Sequence, residues 1–486
     1  MDILHASIKE LHKMMDSGTL TAQELVEFYI DRIARLDTGK INSISELSED
    51  AVETAKKLDI ERLNGHVRGA LHGIPILVKD NIDTGDSLHT TGGTVALKGH
   101  RASCDADVIK KLRDSGAIIL GKTNLSELAN FVSTELPDGF SAGGGQVKNP
   151  LGNYEIGGSS SGSAAAVAGG FAAAAIGTET SGSIVMPSSM CGVVGLKPTV
   201  GRISSKGIIP LAPTQDTAGP IGKYVEDVKL LYEVMAGMTD ELTTTLTADT
   251  DHCPNASDSN LTDQDNGDIA LTGMRIGVLD KQFEAMLDVE NRECFRRVVE
   301  LMEKSGAHII PVGSKYFSED SNLIDDITIL LYEFKAGINE YLKNTEASSP
   351  VHSLKELIEF NEAHKETAIP YGQDILVESD KTSGTLTEQE YRNARQNSLR
   401  ITREENIDAA MDEYHLDALL APSFLACDYP ARAGYPSLVV PVGESKESGP
   451  VSVMVFGRGG TEEVLLRIGG WVENELFIKR RFILQK

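Results

Sequence analysis

The sequence predicts an α/β protein: a single large domain with a central, mostly parallel mixed sheet covered by helices. One observation is the order strand, helix, strand, because the apolar runs "GIPILVKDNI" (residues 73–82) and "GAIILGKTN" (116–124) flank the helical pattern "DADVIKKLRDSG" (105–116). Buried strands joined by a helix are typical of a parallel sheet. Moreover, buried-strand patterns return late in the chain, in "GMRIGVLD" (273–280) and "GYPSLVVPVG" (434–443).

Helical patterns surround these strands. Thr21 and Glu24 form a capping box, and the apolar residues that follow share one face, which predicts a helix over residues 21–36. Further helical patterns fill much of residues 322–415. We therefore expect a helical elaboration there, added to a core whose motifs lie within residues 70–235.

The segment closest in composition to a linker is residues 239–270, which hold eight acidic residues and no lysine or arginine. Such a segment cannot bury enough apolar surface to fold, so we expect a flexible acidic loop. No long linker divides the rest of the chain. We therefore expect one domain over residues 1–486.

Composition and charge exclude several classes of function. With 486 residues, of which 41% are hydrophobic, the chain can bury a large core. A formal net charge of −26 and the lack of a basic cluster argue against nucleic acid as a partner. No run of about 18 apolar residues occurs and the N-terminus does not resemble a signal peptide, so we expect no membrane span and a cytoplasmic protein. Five scattered cysteines without ligand spacing indicate neither a disulfide framework nor a metal site.

The stretch "IGGSSSGSAAAVAGG" (residues 156–170) is rich in glycine and serine. A flexible linker is a poor interpretation, because small apolar residues follow directly. A phosphate loop is also a poor one, because no lysine follows the glycines. An esterase elbow, GxSxG, could be forced onto the motif but would need a distant histidine and acid. The alanines predict a closely packed helix with the serines at its N-terminus, where backbone N–H groups favour negative charge.

Lys79 and the turn "GTETSGSIVMP" (residues 177–187) are further candidates for chemistry. Lys79 ends an apolar strand, and ligands bind at the carboxyl ends of strands in open α/β sheets. It is either a solvated surface lysine or, if buried beside serine hydroxyls, a general base with a lowered pKa. The second motif is either a plain turn or an oxyanion hole that ends in a nucleophilic serine.

Together these residues resemble the amidase signature family. The match is to Lys79 in "VKDN", to "GGSSSGSAAAVA", and to "GTETSGSIVMP" followed by "CGVVGLKPT". The separation of 24 residues between Ser159 and Ser183 is also that of the family. The resemblance continues into "AGYPSLVVPVG" and so covers most of the chain, which implies the amidase signature fold.

The resemblance implies an amidohydrolase that cleaves a carboxylic or peptide-like amide to an acid plus ammonia or an amine, through an acyl-enzyme. In this interpretation Ser183 is the nucleophile, Ser159 is a bridging serine usually held by a cis peptide bond, and Lys79 is the base. The oxyanion is expected to meet four backbone N–H groups, those of Thr180, Ser181, Gly182 and Ser183. The resemblance implies no metal and no organic cofactor. We expect a small-molecule amide or a peptide amide as substrate, and a monomer or homodimer.

Two positions depart from the family pattern. Ser181 stands where Gly or Ala is common, and where a branch resembling peptide amidases has Asp. Val185 stands where an arginine is typical of the amidase subunit of glutamyl-tRNA amidotransferase. The motif "NLSELANF" (residues 124–131) resembles the peptide-amidase branch. We therefore expect a stand-alone amidase in which residues 131–145 and the helical elaboration set specificity for the acyl group. The alternatives are a non-catalytic binding protein and the amidotransferase subunit.

Overall fold

The structure is a computed structural model that describes residues 2–238, 270–279, 281–317 and 327–476. The predicted acidic loop at 239–270 lies outside the described residues except for Ala270, and the loop therefore stays a prediction.

In the described ranges, thirteen β-strands form. They are β1 (Ile44–Leu47), β2 (Pro75–Lys79), β3 (Ile118–Thr123), β4 (Phe140–Ser141), β5 (Gly145–Gln146), β6 (Ala174–Glu179), β7 (Val194–Lys197), β8 (Thr217–Gly222), β9 (Arg275–Val278), β10 (His308–Pro311), β11 (Ala418–Pro422), β12 (Ser437–Ser445) and β13 (Gly449–Phe456). Eleven of them build one sheet, in the order β1-β3-β2-β6-β8-β7-β12-β13-β11-β9-β10, while β4 and β5 form a separate two-stranded sheet.

The same ranges contain sixteen α-helices. They are α1 (Ile8–Asp16), α2 (Ala22–Arg32), α3 (Ala51–Leu63), α4 (Asp107–Asp114), α5 (Ser161–Ala168), α6 (Val185–Met190), α7 (Val225–Ala236), α8 (Val289–Lys304), α9 (Ile327–Lys343), α10 (Leu354–Ala363), α11 (Lys365–Ala368), α12 (Asp374–Asp380), α13 (Gln389–Leu399), α14 (Asp408–Tyr414), α15 (Asp428–Ala433) and α16 (Glu462–Leu476). None of the described helices is both long and apolar enough to cross a bilayer.

The predicted α/β architecture with one large mixed sheet is confirmed. The strand–helix–strand unit is β2-α4-β3, with Pro75 paired to Ile118 and Lys79 to Thr123 in parallel register. Thr21 caps α2, and its capping box with Glu24 is formed. Helices α9 to α14 lie in the region of the expected helical elaboration.

The direction of the strands is more varied than the sequence predicts. Parallel pairs join β2 to β3 and to β6, and β9 to β10 and to β11, whereas the other six pairs of the eleven-stranded sheet are antiparallel. The hairpin β12-β13 shows one reason, because a connection of three residues can join only antiparallel strands. A strand buried on both faces is uniformly apolar, so its pattern does not reveal its direction.

Helix α5 packs in the centre of the fold, and every one of its residues is buried. Its close approach to its neighbours depends on Gly162, because a Cβ at this position would overlap the carbonyl oxygens of Asn124 and Ser43. The Gly162 N–H group donates a hydrogen bond to the same Asn124 oxygen over 3.1 Å. The small residues predicted for this helix therefore serve close packing.

We expect Gly162→Ala to lower the free energy of unfolding by about 2–3 kcal/mol, since the added methyl group meets backbone that cannot move aside. Urea denaturation followed by circular dichroism measures this. Gly99→Ala is the matched control, because a Cβ at Gly99 has no neighbour within 4 Å. Equal stability of the two variants would contradict the tight packing of α5.

Candidate active site

Strand β2 carries Lys79 to its carboxyl end, where the side chain is fully buried. The Nζ atom lies 2.8 Å from Ser159 Oγ, 2.9 Å from Thr178 Oγ1 and 3.2 Å from the Thr178 carbonyl oxygen. Thr178 belongs to β6, which is the parallel neighbour of β2. Of the two interpretations of this lysine, the structure thus supports the buried one.

Burial lowers the pKa of Lys79 to about 7, because a charged ammonium group loses its hydration there. The carboxylates of Asp216 and Glu179 act in the opposite direction but do not offset the burial. A lysine with this pKa is substantially neutral near neutral pH. Its nitrogen then has a lone pair that can accept a proton.

Ser159 lies in the turn before α5 and is also fully buried. The peptide bond between Gly158 and Ser159 is cis, as the resemblance implies. The carbonyl oxygen of Ser159 accepts a hydrogen bond from Ser126 N–H over 3.1 Å. The next N–H group, that of Ser160, donates to the carbonyl oxygen of Ser183 over 3.1 Å. This hydrogen bond holds the two predicted serine motifs against each other.

Glu179, which the sequence analysis missed, organises the turn that leads to Ser183. It ends β6 and is buried, and burial raises the pKa of its carboxyl group. Its carboxylate accepts hydrogen bonds from the N–H groups of Gly182 (3.0 Å), Ile184 (2.7 Å) and Val185 (3.0 Å). An acidic residue at the end of a buried strand, just before a glycine and serine turn, is the sequence signal that could have indicated this role.

The four backbone N–H groups predicted to form an oxyanion hole differ in their surroundings. That of Gly182 is directed to Glu179. Those of Thr180, Ser181 and Ser183 make no hydrogen bond to another described residue. Three of the four groups therefore keep a hydrogen-bond donor that no described residue uses.

The side chains of the same turn are held from two sides. Thr180 Oγ1 donates to Asp216 Oδ1 over 2.5 Å, and Ser181 Oγ donates to Asp428 Oδ1 over 2.8 Å. Asp216 also accepts the N–H groups of residues 211 and 212, and burial raises its pKa. Both carboxylates come from outside the motif, so no local pattern indicated them.

Val185 is fully buried in a hydrophobic cluster with Leu279, Met454 and Phe456, among others. Among the described residues, no group of three or more His, Cys, Asp or Glu side chains is placed to hold a metal ion.

Comparison with known proteins places the chain in a family. The family model described as Amidase matches residues 24–428, so the chain belongs to the amidase family. It is an amidase signature hydrolase that acts on amide C–N bonds. Among the curated relatives is a putative amidase of Schizosaccharomyces pombe, 34% identical over 98% of this chain and 86% of the relative. A glutamyl-tRNA(Gln) amidotransferase subunit of Alkaliphilus metalliredigens is 30% identical over 100% of this chain and 99% of that protein.

Solved structures show the same likeness over nearly the whole chain. The peptide amidase of Stenotrophomonas maltophilia is 36% identical, with a TM-score of 0.85, and the match covers 98% of this chain and 99% of the other. An amidase family protein of Bacillus anthracis is also 36% identical, with a TM-score of 0.86, over 99% of this chain and 92% of the other. The fold of this chain is therefore that of the amidase signature proteins.

We expect Glu179→Gln to lower kcat for amide hydrolysis at least about tenfold with little change in KM, because the amide cannot accept all three N–H groups that hold the turn. Steady-state kinetics on any amide that the wild type hydrolyses provides the measurement. Glu462→Gln is the control, since Glu462 is equally buried and accepts Thr199 N–H away from this turn. Equal losses of kcat in the two variants would show that Glu179 has no particular role.

Proposed function

We propose that this amidase cleaves a carboxylic or peptide-like amide to an acid plus ammonia or an amine, with Ser183 as nucleophile, Ser159 as bridging serine and Lys79 as base. The observation that carries the proposal is the 2.8 Å contact between Lys79 Nζ and Ser159 Oγ in a buried site. Burial there brings the pKa of Lys79 to about 7, close to the value that a general base needs at neutral pH.

The hydrogen bonds around Lys79 fit a neutral amine. Such an amine has two N–H donors and one lone pair, and the Thr178 carbonyl and hydroxyl oxygens supply two acceptors. The Thr178 hydroxyl also accepts a hydrogen bond from Asn81 Nδ2 over 3.0 Å, which uses its second lone pair. The lone pair of Lys79 is then left for the Ser159 hydroxyl proton.

In the proposed reaction Lys79 takes the proton of Ser159 while Ser159 takes that of Ser183. The Ser183 oxygen then attacks the amide carbon. The backbone N–H groups of Thr180, Ser181 and Ser183 receive the developing oxyanion, whereas that of Gly182 stays with Glu179 and keeps the turn in place. One oxyanion donor is typically worth about 2.7–4 kcal/mol in other hydrolases.

The acyl-enzyme forms when the proton returns through Ser159 to the nitrogen of the leaving group. The C–N bond breaks and ammonia or an amine departs. Water, deprotonated through the same serine and lysine, then attacks the ester carbon and releases the acid and the Ser183 hydroxyl. Over the full cycle one water is consumed, and no redox step occurs.

The nearly complete alignment with a peptide amidase supports a peptide-like amide as substrate. The amidase subunit of glutamyl-tRNA amidotransferase is the alternative function, and its partner proteins would then be required for activity. Against this alternative, Val185 occupies the position where an arginine is typical of that subunit. Val185 lies in a hydrophobic cluster, and an arginine at this position would have to enter that cluster. Hydrolysis of simple amides by the isolated chain supports the stand-alone amidase, and activity only with partner proteins would contradict it.

We expect kcat/KM for a non-ionising amide to rise with pH through about 7 and to be about tenfold lower at pH 6 than on the plateau, because only neutral Lys79 accepts a proton. Lys79→Ala should lower kcat by about 10²–10⁴-fold without unfolding the chain. Lys122→Met is the control, because Lys122 is equally buried but contacts Ile82 and Thr90. A flat pH profile, or a loss below tenfold for Lys79→Ala, would exclude this lysine as the base.

We expect Ser183→Ala to abolish both turnover and labelling by a fluorophosphonate, since the proposed nucleophile is removed. Intact-mass spectrometry detects the adduct, and peptide mapping locates it. Ser204 is a partly buried serine that donates a hydrogen bond to Asp107, and Ser204→Ala should keep both turnover and labelling. An adduct that persists on another serine of the Ser183→Ala variant would overturn the assignment.

A further inference from the structure

Helix α9, which belongs to the helical elaboration, contacts the core through one stripe of its residues. Glu333, Gly337 and Tyr341 are spaced four residues apart, so they lie on the same side of the helix. At one end of the stripe, Tyr341 Oη donates a hydrogen bond to Asp83 Oδ1 over 2.7 Å. In its middle, a Cβ at Gly337 would stand 2.9 Å from Pro210 Cγ. The helix and the core are therefore in close contact along the stripe.

The other end of the stripe is a carboxylate that the proposed reaction does not use. Glu333 has only 1% of its surface exposed. Its Oε2 accepts the Thr214 N–H group over 2.9 Å, and its Oε1 accepts the Thr214 hydroxyl over 2.7 Å. Oε1 also accepts the hydroxyl of Tyr391, on α13, over 2.8 Å. Burial of a carboxylate is costly unless hydrogen bonds compensate for the lost hydration. Two of these three hydrogen bonds come from Thr214.

Thr214 lies in a turn before β8 that is closed by Asp216. The Asp216 N–H group donates to the Ala212 carbonyl oxygen over 2.8 Å. Asp216 Oδ2 accepts the N–H groups of Leu211 and Ala212 over 2.8 and 2.9 Å. Its other oxygen, Oδ1, accepts the hydroxyl of Thr180 over 2.5 Å. The position of Thr214 therefore fixes that of Asp216, and Asp216 in turn holds Thr180.

We propose that Glu333 is a positioning residue for the oxyanion donors of this amidase. It holds Thr214, and through the turn and Asp216 it keeps the Thr180 N–H group where the oxyanion forms. Glu333 acts through these residues and needs no contact with the substrate. The inference rests on the proposed function, because it assumes that the Thr180 N–H group receives the oxyanion.

The nucleophile turn needs such a support at its start. Glu179 holds the later part of the turn, since it accepts the N–H groups of residues 182, 184 and 185. At Thr180 the side-chain hydrogen bond to Asp216 has the same task. An oxyanion donor must lie about 2.7–3.1 Å from the oxyanion, and a misplacement of about 1 Å can lower the rate about 10²-fold.

The test is Glu333→Gln, because a glutamine of the same shape has one oxygen acceptor and one NH₂ donor. Its NH₂ group would face a donor of Thr214, so one of the two hydrogen bonds to Thr214 is lost. We expect kcat for amide hydrolysis to fall at least about tenfold while KM changes less than about twofold. Fluorophosphonate labelling of Ser183, followed by intact-mass spectrometry, should slow by a similar factor.

Tyr391→Phe is the matched control, because it removes the third donor to the same carboxylate and leaves both hydrogen bonds to Thr214 in place. It should keep the wild-type kcat. Thr214→Val, which removes only the hydroxyl donor, should lower kcat in the same direction, and it provides the test if Glu333→Gln does not fold. An unchanged kcat in the variants of Glu333 and Thr214, or an equal loss in Tyr391→Phe, would overturn the proposal.

A double-mutant cycle with Thr180→Val tests the route of the effect. If Glu333 acts through Thr180, adding Glu333→Gln to Thr180→Val should lower kcat less than about twofold further. Losses that multiply would show that Glu333 acts elsewhere and would contradict the proposal. The wild-type adduct reports separately on the proposed function, since labelling of a serine other than Ser183 would contradict that function whatever the Glu333 variant does.

Discussion

The burial of one amine beside a serine hydroxyl is the constraint on which the rest of the site depends. Lys79 is placed at the end of β2, and its ammonium form is unfavourable there because the surrounding strands and α5 exclude water. The cost of burying this group is reduced by Thr178, which accepts its N–H groups, and the lone pair is left to Ser159. A lysine on the surface would keep its proton at neutral pH and could not serve as a base.

The fold meets this constraint by bringing small residues and backbone groups close together. Gly162 lets α5 approach neighbouring backbone, which brings Ser159 to the lysine. Ser160 N–H then ties this segment to Ser183, and Glu179 gathers three further N–H groups of the second turn. The resulting site is held by hydrogen bonds in which buried side chains such as Lys79 and Glu179 contact backbone groups and hydroxyls.

The sequence predicted several local elements but not how the strands of the sheet pair. The strands β2 and β3, the helix between them and the capping box of Thr21 follow from local patterns, and the structure contains them. The antiparallel pairs in the middle of the sheet could not be predicted, because apolar runs carry no direction. Glu179 had a local signal that was overlooked. For Asp428 there was none, since 247 residues separate it from Ser181.

The sequence by itself determined which residues are available for chemistry: a lysine at a strand end, two glycine and serine motifs at a spacing of 24 residues, and small residues after the first of them. The tertiary structure decided their state. Burial sets the pKa of Lys79, and long-range packing brings Asp428 into contact with Ser181. The physical reason is that hydration and distance between remote residues depend on the packing of the whole chain, whereas spacing and local propensity are properties of each segment.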